Sequence, residues 1–179
     1  VTLTGPIAEA EETKFAATEQ SEITFAQMSD IHYFPYQHCY PHDMADYLES
    51  DFYHSTTGDT KLVIESGSLL MAHIEEIIAD AHEGVAPMYL FTTGDLCKNG
   101  EQAALIDVAN ALRYLQNEVR KVSGYENFQV FATVGNHDLY NASGKLYDMT
   151  DGSEYISEVV TSAQFALIFT GLGFPDIPV

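Results

Sequence analysis

A chain of 179 residues with 46% hydrophobic and 12% aromatic side chains can bury a core without staples and is too apolar to be disordered or fibrous. Seven Lys and Arg against 27 Asp and Glu give a net charge of −20, which argues against a nucleic-acid duplex or an anionic membrane held by charge alone. No apolar run approaches the roughly 20 residues that span a bilayer. The two cysteines, Cys39 and Cys97, are too few for a disulfide scaffold. An acidic chain with seven histidines is instead suited to collecting cations.

In chain order, residues 1–21 are rich in Ala, Glu and Thr without a period and read as a tail, leaving 22–179 as the folded portion. The first residue is Val1 rather than Met, as left by a signal peptidase or by artificial trimming, and with the acidic charge and the tail this gives an expected location outside the cytoplasm. Residues 23–28 (Ile-Thr-Phe-Ala-Gln-Met) predict a buried strand. Residues 33–60, crowded with Tyr, Phe, His, Pro and Asp, predict a long functional loop. Helical spacing follows over 61–82, with Leu69, Leu70, Ile74, Ile77 and Ile78 on one face and Gly84 as its stop. Residues 88–92 predict a second strand, and Asn99-Gly100 a turn. A second amphipathic helix spans 101–121, striped by Ala104, Leu105, Val108, Leu112, Leu115 and Val119. Residues 128–134 predict a third strand and 153–170 a last helix.

Three apolar strands separated by helices predict an α/β fold with a largely parallel sheet buried on both faces. Such sheets place their sites at the carboxyl ends of the strands. There the chain carries Ser29-Asp30-Ile31-His32, then Thr93-Gly94-Asp95-Leu96, then Gly135-Asn136-His137-Asp138. Carboxylate and imidazole converging on one sheet edge suit Zn, Fe, Mn or related ions. Gly94 and Gly135 allow tight backbone turns beside such a site. There is no phosphate-binding glycine loop, no dinucleotide fingerprint, no HExxH and no GxSxG.

The three segments, in this order and after these strands, resemble the first blocks of the calcineurin-like metallophosphoesterases. The resemblance covers about residue 23 to the end and implies a layered metallophosphoesterase-type sandwich, here mainly its first β-α-β-α-β-α half. It further implies a binuclear centre of two divalent or trivalent ions, Mn, Fe or Zn. Asp30 and His32 would ligate the first ion, Asp95 would bridge both, and Asn136 would ligate the second. His137 would face the scissile phosphate and aid the leaving group, with Asp138 holding His137 in place. The implied reaction is hydrolysis of a phosphate mono- or diester by a metal-activated hydroxide. The substrate would be a small phosphate ester, a nucleotide or a lipid head group, chosen in part by the 33–60 loop.

The family's further blocks, a lone His and a Gly-His-x-His segment, have no counterpart, since no His follows His137. The chain is therefore expected to be the N-terminal portion of a longer phosphoesterase. A missing C-terminal segment or a homo-oligomer would supply the remaining ligands. The rival expectation is a non-catalytic metal-binding or interaction fragment that needs a complementing chain. Three fates stand open for Cys97: a packed thiol, a metal ligand, or a bridge to Cys39. Lys98, among the few cations near the site, is a candidate phosphate contact. Tyr33, Phe34, Tyr36 and Tyr40 line either a pocket or the core, and His38, His42 and His54 are loop histidines.

Overall fold

The computed structural model describes residues 23–35, 37, 65–148, 150–151 and 153–175. The expected tail, most of the 33–60 loop, Cys39 and the loop histidines lie outside the described residues. Strands β1 (Phe25–Met28), β2 (Tyr89–Thr92) and β3 (Gln129–Phe131) form one parallel sheet in the order β1-β2-β3. The register pairs Ala26 with Leu90 and Leu90 with Val130. Helix α1 (Ser66–Glu83) connects β1 to β2, and α2 (Gln102–Val119) connects β2 to β3.

The two helices form because their apolar residues recur every three to four positions. Along α2 the stripe Ala104, Leu105, Val108, Leu112, Leu115 and Val119 is fully buried, as its spacing predicts. On α1, Leu70 and Ile74 are buried, but Leu69 is 44% exposed, at the margin of the stripe. Gly84 ends α1 in the left-handed conformation at φ 76°, its amide donating to the Ala81 carbonyl. Both helices pack into one core with Leu90, Val130, Ala26 and Met28.

That packing corrects the expectation of a sheet buried on both faces. Side chains alternate along a strand, so Phe25, Tyr89, Phe91 and Phe131 lie on the other side. There Phe25 is 63% exposed, while Phe91 and Phe131 stack at 5.2 Å. One covered face is enough to fix the register, and the other is held by ring contacts.

The expected helix over 153–170 is also corrected. Strands β4 (Lys145–Tyr147) and β5 (Glu154–Ile156) pair antiparallel as a hairpin, with a Lys145–Glu154 ion pair at 2.7 Å. Only Ser162–Ile168 is helical (α3). Asp151-Gly152 between two short β-prone runs is a hairpin signal that a helical reading overlooks. Helix α3 starts at a reciprocal cap. Gln164 N–H donates to the Thr161 hydroxyl at 3.3 Å, and Thr161 N–H donates to Gln164 Oε1 at 2.9 Å.

No helix among the described residues is long and apolar enough to cross a membrane.

Candidate metal centre

The three loops at the carboxyl ends of the strands are knitted together by backbone bonds. Asp30 N–H donates to the Gly94 carbonyl at 3.3 Å, His32 N–H to Asp95 at 3.0 Å and Tyr33 N–H to Leu96 at 3.0 Å. The parallel pairing therefore continues past the strands to a bridge between Tyr33 and Cys97. The loop after β3 is tied in by side chains. His137 N–H donates to Asp95 Oδ1 at 3.0 Å.

Glycine is required where these loops touch. A Cβ on Gly94 would lie 2.5 Å from the Gly135 nitrogen, at a φ of 93°. A Cβ on Gly135 would lie 2.8 Å from Asp95 Cγ. Real Cβ atoms do not approach so closely, so both positions need hydrogen there.

The outcome is a cluster. One donor atom each from Asp30, His32 and Asp95 lies within 4.8 Å of the others. Two ligands at about 2.1 Å on opposite sides of an ion are themselves about 4.2 Å apart, so the three fit a single cation after small adjustments. Asp30 is exposed, and His32 and Asp95 are half-buried, so the cluster opens to solvent. His32 Nε2 stands 3.8 Å from Asp30 Oδ1. Asn136 lies on the neighbouring loop and is exposed.

The backbone carries the cost of this arrangement. Among the described residues four non-glycines have positive φ, and three of them are Asp30 (53°), His32 (44°) and Asp95 (52°). Such conformations cost roughly 1–3 kcal/mol each and cluster at functional sites.

His137 is half-buried, and its ring packs edge-to-face on the His32 ring at 5.0 Å. Its Nδ1 lies 2.8 Å from the Lys98 carbonyl and 3.2 Å from Asn99 Oδ1. Asp138 does something other than hold this ring. Fully buried, its carboxylate accepts from Leu96 N–H (2.8 Å), Cys97 N–H (3.0 Å), Cys97 Sγ (3.3 Å) and Gly135 N–H (2.8 Å). The expected clamp on His137 is thus a brace between the second and third loops. Burial raises the Asp138 carboxyl above its ordinary range, against the pull of those donors.

Cys97 is a free, fully buried thiol, so of its three fates packing is the one observed. Burial, followed by the charges of Asp138 and Glu101, pushes it well above the ordinary thiol range. Lys98 is buried rather than standing out toward a phosphate. Phe34 packs with Leu146 and Tyr147 in a small second core. Tyr33 donates to Asp107 at 3.2 Å. Sequence reasoning missed the Asn99 contact because Asn99-Gly100 reads as a turn and nothing more.

Carboxylates and an imidazole gathered at the carboxyl edge of a parallel sheet give this α/β protein a candidate metal-binding group. A family model for calcineurin-like phosphoesterases matches residues 23–174. The chain belongs to that family, whose members are metal-dependent and which groups hydrolases of phosphate esters. No protein among the curated sequences matches the chain.

Proposed function

We propose that the chain contributes the metal-binding edge of a phosphate-ester hydrolase. The observation that carries this reading is the Asp30, His32 and Asp95 cluster within 4.8 Å, with the His137 ring beside it. In this reading Asp30, His32 and Asp95 would hold one cation, and Asp95 and Asn136 would contribute to holding a second. When bound, the cations supply Lewis-acid charge against the phosphate oxygens and make water nucleophilic near neutral pH.

The chain's own residues do the rest. A backbone carbonyl only accepts, so the Lys98 carbonyl assigns a proton to His137 Nδ1. Nε2, the other ring nitrogen, is then the atom that carries the second proton of the imidazolium form and passes it to the departing alcohol oxygen. Among the described residues, four other cations have partners elsewhere. Arg113 donates to the Thr170 carbonyl, Arg120 to the Phe128 carbonyl, and Lys121 and Lys145 pair with Glu118 and Glu154. Bound metal would supply positive charge for an anionic substrate on this acidic surface. The substrate is a small phosphate ester, a nucleotide or a lipid head group.

A second reading has its own observation. On the aromatic face of the sheet, where Tyr89, Phe91 and Phe131 are half-buried, Phe25 is 63% exposed, which favours a chain that is completed by a further segment or a second copy before it turns over substrate.

The test is hydrolysis of bis(p-nitrophenyl) phosphate with Mn, Zn or Fe. Metal-dependent release of nitrophenol that falls more than about 100-fold in His137→Ala and in Asp95→Ala supports catalysis. Metal binding without turnover supports the second reading. Neither binding nor turnover overturns both.

A further inference from the structure

The ring that is to move the proton is held by a turn that the phosphoesterase reading leaves unused. His137 Nδ1 meets two acceptors, the Lys98 carbonyl at 2.8 Å and Asn99 Oδ1 at 3.2 Å. The first belongs to the backbone and cannot be changed by selection on a side chain. The second is a choice of residue. Asn99 is itself fixed. Its N–H donates to Oε2 of the fully buried Glu101 at 2.7 Å. Next to it, Gly100 takes φ 80°, and its N–H donates to Cys97 Sγ at 3.1 Å. A Cβ on Gly100 would sit 3.0 Å from Asn141 Cβ and 3.2 Å from the His137 carbonyl. The turn is thus pressed against the residue that it orients, with no room for either to drift.

We propose that Asn99 is a positioning residue for His137, its side-chain oxygen locking the ring with Nδ1 inward and Nε2 toward the site. Glu101 acts one step behind, by fixing the turn that carries Asn99. Two acceptors at one nitrogen do what one does not. The Lys98 carbonyl sets the tautomer, and Asn99 removes the freedom of the ring to swing about that single bond. Proton transfer requires the donor nitrogen within hydrogen-bond reach of the leaving oxygen, so a ring free to swing loses rate rather than binding.

The consequence for rate rests on the phosphoesterase reading; the geometry is testable without it. The 15N-labelled chain is studied by long-range proton–nitrogen correlation of its imidazoles, with His137→Gln assigning the signal. The wild-type ring is expected as the Nδ1-protonated tautomer, with an Nδ1–H slow enough in exchange to be observed. In Asn99→Ala that proton is expected to broaden or vanish while the tautomer persists. In Asn99→Asp, which keeps an oxygen in place, it returns. On bis(p-nitrophenyl) phosphate with Mn, kcat falls roughly ten-fold in Asn99→Ala with KM within about two-fold, and Asn99→Asp recovers it. A neutral wild-type ring protonated at Nε2 and bare at Nδ1 overturns the proposal before any variant is made. An Nδ1–H signal unchanged in Asn99→Ala also overturns it. The expected spectra from a chain that hydrolyses nothing uphold the positioning role and count against the phosphoesterase reading alone.

Discussion

Asp30 at φ 53° is a side chain kept where glycine would sit more easily. It is exposed, and its side-chain hydrogen bond comes from the adjacent Ser29. Asp30→Gly is therefore expected to leave the metal-free chain as stable as before, or up to about 1 kcal/mol more stable. The same change is expected to weaken Mn binding at least about ten-fold. Urea unfolding and titration calorimetry read the two effects separately. Asp138 should behave in the opposite way. Asp138→Ala removes the acceptor of the Leu96, Cys97 and Gly135 amides and should cost about 3 kcal/mol in the same unfolding assay. At this scale much was legible in the sequence. Asp30, His32 and Asp95 stand out because carboxylates and an imidazole follow strands, and the structure brings them together. The partners of His137 were not legible. They come from a carbonyl, which every residue has, and from an Asn in a turn whose Asn-Gly spelling accounts for itself.

The elements differ in how well their spacing predicts them, and packing explains why. Helix α2 has a stripe that is buried from end to end, so period and burial agree. Leu112→Ala in that stripe should cost about 3 kcal/mol, measured as a fall in the urea midpoint at constant slope. The segment 153–170 shows the reverse. Ile156, Val159 and Val160 suggest a helical face, yet Ile156 is 71% exposed in β5 and Val160 is buried. The β4–β5 pairing wins there because it satisfies the backbone of two short runs at once. Helix α3 is too short to be stable by itself, so its reciprocal cap matters. Thr161→Ala should lower stability by about 1 kcal/mol in thermal unfolding.

At the scale of the molecule, the described residues place both long helices on one face of the sheet and half-buried aromatic rings on the other. A strand pattern reveals that a sheet is apolar, but not which layer covers it, and for that reason burial on both faces was expected from sequence and not observed. The buried thiol gives the whole fold a pH dependence. The folded-state pKa of Cys97 lies well above the unfolded value of about 8.5. The folded chain thus keeps a proton that the unfolded chain has released. The stability from this group is fully present below about pH 8.5 and is lost as pH rises from there toward the folded value. The gap between the unfolding midpoints of the wild type and Cys97→Ala should stay constant below about pH 8.5 and change only at alkaline pH, with the wild type falling more steeply.

The central claim is that Asp30, His32 and Asp95 together hold a cation at the carboxyl edge of the sheet. Titration calorimetry of the chain with Mn tests it most directly, beside Asp95→Ala with its fold checked by circular dichroism. Saturable binding of at least one ion, lost in the folded variant and matched by a higher unfolding midpoint of the wild type with Mn, is the predicted result. Equal binding by the wild type and Asp95→Ala, or no binding by either, would contradict it.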